Sequence, residues 1–151
     1  MNDSSKKLAG KIWRVLPQTV RRLLIRATQK SFTVSVIAVI QNDEGKILLL
    51  DHVLRPQSGW GAPGGFIDHG EQPDEAIRRE VMEETGLELT DLEMSWIRTI
   101  RGHVEIIFRA RGKGELSVKS AEILSAAWFA PSEMPPEMSA VQKFVIEKTL
   151  S

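Results

Sequence analysis

Residues 6–29 mix apolar and basic positions at a helical spacing. Leu8, Ile12, Leu16, Val20, Leu23, Leu24 and Ala27 follow the helical period, while Lys11, Arg14, Arg21, Arg22 and Arg26 fall mostly elsewhere. The pattern predicts one amphipathic helix interrupted, or two meeting, near Pro17. The spacing then changes. Residues 31–41 (SFTVSVIAVIQ) are dense in β-branched side chains and read as a buried strand. Asn42-Asp43-Glu44-Gly45 is a hairpin turn, from which residues 46–52 return as a second strand. Residues 53–65 carry too many Pro, Gly and Ser residues for regular structure and lead into the tight Gly64-Gly65 turn. Helix formers run from Pro73, suited to a first helical turn, to Thr85, with Gly86 as the left-handed stop and Ile77 and Val81 as the inward stripe.

Residues 89–100 and 103–110 read as strands joined by a short polar turn. Gly112-Lys113-Gly114 turns into a short strand at 115–118, and 126–130 forms another before Pro131. Residues 139–150 form a closing helix after the Met134-Pro135-Pro136 loop. Antiparallel hairpins mixed with a central and a C-terminal helix predict an α/β class, with helices flanking a mixed sheet. The 1–30 stretch is a helical extension on a single domain over 31–151, since 151 residues suit one core.

Composition narrows this picture in three ways. The chain has no cysteine, so thiolate metal and redox sites are excluded, and a cytoplasmic protein is the expectation. No apolar run reaches the roughly 20 residues that span a bilayer. The formal net charge is zero, but residues 1–30 hold eight Lys/Arg against Asp3 alone, leaving an acidic body for which no stable nucleic-acid partner is expected. The basic extension has two readings. Its apolar stripe packs on the domain or across a homodimer, or it lies on an anionic membrane surface. Packing is the commoner fate of such a stripe.

The predicted central helix carries Glu80, Glu83 and Glu84 on one face, within one turn. Like charges so placed repel, and an oxygen-only acidic patch suits a hard divalent cation. Taken alone, the three acids also fit an ordinary solvated charged helix. The surrounding residues decide between these. Gly65, Glu71, Arg79, Glu80, Val81, Glu83, Glu84, Gly86 and Leu87 satisfy G-x5-E-x7-R-E-U-x-E-E-x-G-U, with U a bulky aliphatic, at every fixed position. The stretch 65–87 resembles the Nudix box, and a looser likeness to the Nudix hydrolases extends over residues 31–150.

The resemblance implies an α/β/α sandwich and a pyrophosphohydrolase using Mg²⁺ or Mn²⁺. It makes Glu80 and Glu84 the core metal ligands, with the Gly64 carbonyl as a further one. Glu83 either ligates or deprotonates the attacking water, Arg79 positions the acids, and Glu71 supports the loop. A further carboxylate is often supplied from a loop before a late strand; Glu122 stands there, with Glu105 as competitor. Arg55 is a candidate for a substrate phosphate and Trp60 for a base, although Trp60 also fits packing beneath the glycine turn. His69 and His103 are titratable but are not assigned a role. The implied reaction is hydrolysis of a nucleoside diphosphate linked to another group, with a nucleotide-sensing module that has lost turnover as the alternative. Relatives cleaving ADP-ribose carry a proline about sixteen residues beyond the box, where this chain has Gly102-His103, and those cleaving dinucleoside polyphosphates carry a tyrosine, which this chain lacks. A nucleoside triphosphate or nucleotide sugar is therefore the expected substrate.

Overall fold

The apolar runs around residues 36–50 are buried on both faces of a sheet, and this alternation sets the architecture. A computed structural model describes residues 2–55 and 58–151; Pro56 and Gln57, within the segment read as irregular, lie outside the described residues. The chain divides into two compact units, Met1–Phe32 and Thr33–Ser151.

The first unit is two helices, α1 (Asp3–Val15) and α2 (Gln18–Thr28). Asn2 caps α1 by accepting from the Ser5 backbone N–H at 3.1 Å. Leu16 adopts φ −64° and ψ 137°, the extended geometry that a following proline imposes, so the helix stops where Pro17 requires it. No residue of either helix is buried.

The second unit is built on β1 (Thr33–Gln41), β2 (Ile47–His52), β3 (Trp60–Gly61), β4 (Gly64–Phe66), α3 (Pro73–Thr85), β5 (Glu88–Ile100), β6 (His103–Lys113), β7 (Ile123–Phe129) and α4 (Ala140–Leu150). Strands run in the order β3-β2-β1-β6-β5, with β4 also on β1 and β7 also on β2. β1 and β6 pair in parallel, whereas β2, β3, β4, β5 and β7 enter antiparallel ladders, so the sheet is mixed. Side chains alternate across it. Val36, Ala38, Ile40, Leu48 and Leu50 face one way and pack with Ala76, Ile77 and Val81 of α3. Val39, Ile47 and Leu49 face the other way, against Ile146 of α4, and Ile37 with Ile107 meets Val145. Helices therefore cover both faces, giving an α/β/α sandwich.

Three expectations need correction. Residues 115–118 form no strand. The Ser117 and Lys119 N–H groups instead donate to the carbonyls of Thr85 and Glu84 at 2.9 and 3.3 Å. The segment thereby satisfies carbonyls that the end of α3 leaves open. The late strand begins at Ile123 rather than 126, because β7 follows β2 past a register shift at Asp51/His52. The segment read as irregular contains β3 and β4, short pieces paired to β2 and β1. Composition underestimated them because glycine backbone forms ladder bonds despite low strand propensity.

Candidate active site

Backbone geometry at the glycine turn brings the box helix against β1. Gly64 has φ 151°, and a Cβ there would lie 2.1 Å from the Val36 carbonyl oxygen. At Gly65 a Cβ would sit 2.3 Å from the Glu80 carboxylate carbon. Only glycine lets β4 pass between β1 and the acids of α3. At the far end of the helix, Gly86 takes φ 71° and ψ 4°, and its N–H closes on the Met82 carbonyl at 3.0 Å. At the N-terminus the Gln72 N–H donates to Glu75 Oε2 at 3.2 Å.

Arg79 organises the acids on the loop side. Its guanidinium donates to both Glu71 oxygens at 2.8 and 2.9 Å, to Glu80 Oε1 at 2.8 Å and to the Phe66 carbonyl at 3.2 Å. The same group lies 3.7 Å from Glu83 Oε2. The bidentate fork fixes the planes of both partners. Hydrogen bonds from Arg79, and then from the Asp68 N–H, hold the Glu71 carboxyl down to about 2. Hydrogen bonding to Glu71 raises Arg79 further above its already basic range.

The three helix acids differ in depth. Glu84 is buried and accepts from the Gly64 N–H at 3.3 Å. Glu80 is mostly buried, with its side chain 18% exposed, whereas Glu83 points outward at 62%. Burial, followed by the charges of Glu80 and Glu122, pushes the Glu84 carboxyl up to about 8, against the lowering pull of Gly64 and Arg55. Glu122 sits just before β7, where the Val53 N–H bonds its carbonyl at 2.9 Å and carries the β2–β7 pairing past the last strand residue. Glu122, His52, Leu54 and Arg55 line a cavity of about 190 Å³.

Glu105, the competing carboxylate, is held by Arg98 on the neighbouring strand. His103 bonds Thr33 Oγ1 at 2.6 Å and Ser35 Oγ at 2.9 Å along the parallel β1–β6 pair. His69 lies in the loop before α3. Arg55 donates to the Ala62 carbonyl at 3.3 Å, and its buried Nη1 has no partner among the described residues. Burial lowers its pKa, and the fields of Glu84 and Glu105 oppose that shift. Trp60 does not pack beneath the glycine turn. It lies edge-on to Phe129, with ring centroids 5.1 Å apart, in the cluster under α4.

Among the described residues, no three His, Asp or Glu side chains converge closely enough to enclose a cation. Arg79 draws Glu80 to the loop side, and Glu84 is turned to Gly64. The donor set nevertheless fits a hard divalent ion, being all oxygen and carrying excess negative charge at a buried position.

A family model for the NUDIX domain matches residues 31–148. The chain belongs to the Nudix family. It is a Nudix pyrophosphohydrolase by class. It is 33% identical over 112 residues to a MutT-like protein of Streptomyces ambofaciens, covering 72% of this chain and 71% of that protein. Identity to the NAD-capped RNA hydrolase NudC of Vibrio parahaemolyticus is 30% over 122 residues, or 76% of this chain and 46% of NudC. A human 8-oxo-dGDP phosphatase matches at 32% over 125 residues, 74% of this chain and 36% of that protein. The chain thus spans less than half of the latter two. Among solved structures, a MutT NUDIX hydrolase from Burkholderia pseudomallei superposes with TM-score 0.68 at 27% identity, covering 77% of this chain and 96% of that one. The NUDIX domain of Shewanella oneidensis NrtR, solved with ADP ribose, gives TM-score 0.72 at 22% identity, with 89% and 97% covered. That likeness shows the fold.

Sequence reading of this Nudix chain missed His52. Its Nδ1 lies 3.9 Å from Glu84 Oε1, and its buried Nε2 has no partner among the described residues. Burial, and then Arg55, lower its pKa to about 4, so it is a neutral imidazole near pH 7 and the approach to Glu84 is not an ion pair. The available signal was the polar pair Asp51-His52 that closes β2 after its apolar run, where a strand end opens onto a site.

Proposed function

We propose that the enzyme hydrolyses a phosphoanhydride bond in a nucleoside diphosphate linked to another group, by attack of water at phosphorus with Mg²⁺ or Mn²⁺. The observation that carries this reading is Glu84, buried on the glycine turn and pushed up to about 8 by burial and by Glu80 and Glu122. Such a cluster keeps a proton at neutral pH unless a cation replaces it.

Glu80, Glu84, Glu122 and the Gly64 carbonyl would hold the ion, which when bound neutralises phosphate charge and acidifies water. Arg79 keeps Glu80 oriented through its anchor on Glu71. Glu83, exposed and only loosely held at 3.7 Å by Arg79, accepts the proton of the attacking water. Arg55 offers a phosphate oxygen a buried N–H that has no partner among the described residues. His52, uncharged, lines the cavity without adding positive charge. Trp60, engaged with Phe129, takes no part in this reading.

The substrate class is a nucleoside triphosphate or nucleotide sugar. The NAD-capped RNA and 8-oxo-dGDP named for the relatives extend the set to be tried. The test is a hydrolysis panel with Mg²⁺ or Mn²⁺ and with chelator, over nucleoside triphosphates, 8-oxo-dGDP, nucleotide sugars, ADP-ribose, dinucleoside polyphosphates, NADH and NAD-capped RNA. Metal-dependent release of a nucleotide product from one compound supports the reading. Nucleotide binding without turnover of any compound replaces it with a sensing module.

A further inference from the structure

We propose that the N-terminal unit docks the enzyme onto an anionic lipid surface. Neither α1 nor α2 buries a single residue. Nine of the twenty exposed large apolar side chains among the described residues fall in positions 1–32. They are ordered along the helices. At about 100° per residue, Leu8, Ile12 and Val15 share one side of α1, and Val20, Leu23 and Leu24 share one side of α2. Val15 is 81% exposed and Leu23 68%.

The flanking positions are basic. Lys6, Lys7, Lys11 and Arg14 surround a groove of about 410 Å³ at Gly10, and Arg21 and Arg22 border a second of about 320 Å³ beside Trp13. Arg21 Nε is buried there without a partner among the described residues. Eight Lys/Arg against one acid give the first 32 residues a charge of +7, and twelve against nineteen give the remainder −7.

The occupant must offer an apolar interior and negative charge at its boundary. An anionic bilayer interface offers both. A second copy of the unit would bring another seven positive charges against these seven. A nucleic acid would satisfy the charge but leave six aliphatic side chains in water. Among the described residues no helix is long and apolar enough to cross a membrane, and the proposed association is with its surface. Trp13, amphipathic and 40% exposed, suits the interfacial depth. This proposal stands apart from the catalytic reading.

The test is co-sedimentation of the full chain with phosphatidylcholine vesicles, with and without phosphatidylglycerol. Binding to the anionic vesicles is expected to exceed neutral binding by at least about tenfold and to weaken with salt. Ile12→Ser with Leu23→Ser keeps every charge and is expected to lower anionic binding about tenfold. Arg21→Gln with Arg22→Gln keeps both stripes and is expected to narrow the anionic preference. An unchanged helical circular-dichroism signal shows that each variant is folded. Equal or absent binding to the two vesicle types overturns the proposal. So does a dimer that Leu23→Ser dissociates, in the absence of vesicle binding, which assigns the stripes to a second copy. Retention of single-stranded RNA without vesicle binding assigns the unit to nucleic acid instead.

Discussion

At Gly65 the absence of one carbon decides where a carboxylate sits. The missing Cβ would overlap the Glu80 carboxylate, and Glu80 is held in that space by Arg79. Gly65→Ala is therefore expected to displace Glu80 and to weaken Mg²⁺ binding about 10- to 100-fold, the usual cost of disturbing a ligand's support. Isothermal titration with Mg²⁺ measures it, and unchanged affinity removes Glu80 from the ligand set. Glu71 gives a prediction in pH. Its folded carboxyl titrates at about 2, below the ordinary 4.5, so the folded state gives up that proton more readily than the unfolded chain. The resulting stability is present above about 4.5 and is lost as pH falls through about 2. Urea unfolding of Glu71→Gln should show a flatter decline over that window. An identical acid limb in the variant means that the Arg79 fork contributes nothing to folding.

At the scale of elements, α3 is fixed by signals that a sequence carries openly. Pro73, the Ile77/Val81 stripe and Gly86 mark its start, inner face and stop, and the helix runs from Pro73 to Thr85 as those residues require. The hairpin at 42–45 and the helix break at Pro17 were legible for the same reason, since local backbone chemistry decides them. Residues 115–118 were not legible, because Ser117 and the following Lys119 bond Thr85 and Glu84, some thirty residues away. Nor was the burial of His52, set by the β2 pairings with β3 and β7 rather than by its neighbours in sequence. The unequal depths of Glu84 and Glu83 depend on how α3 rests on the glycine turn, which residue spacing does not encode. Packing of that helix also carries a prediction. Ile77 is fully buried between α3 and the sheet, so Ile77→Ala should cost about 2–5 kcal/mol of unfolding free energy, read from denaturant midpoints. A loss below 1 kcal/mol, against roughly that range, would mean that the site collapses around the smaller residue.

For the whole molecule, the proposed metal site ties stability to pH through Glu84. Its folded pKa of about 8 lies above the ordinary 4.5, so without metal the folded state keeps a proton that the unfolded chain gives up. Stability of the metal-free protein should therefore fall as pH rises from about 4.5 to about 8. A cation that displaces the proton removes this fall, so the stabilisation by Mg²⁺ should grow across the same window. Thermal unfolding with chelator and with Mg²⁺ from pH 5 to 8 measures both slopes. Glu84→Gln is expected to make them parallel, and parallel slopes in the unaltered protein would dissociate Glu84 from the metal.

In the proposed function the box acids of α3 perform hydrolysis at phosphorus, and Glu83, exposed and only loosely held by Arg79, takes the proton. The most direct measurement is turnover of Glu83→Gln at saturating Mg²⁺, on the best compound of the panel, with the unfolding midpoint taken on the same sample. Because Glu83 is exposed and stands apart from the core, the midpoint should be unchanged while kcat falls by about 10²–10⁴-fold, the range expected for losing a general base. A folded Glu83→Gln protein that keeps its kcat would contradict this role and move the chemistry away from Glu83.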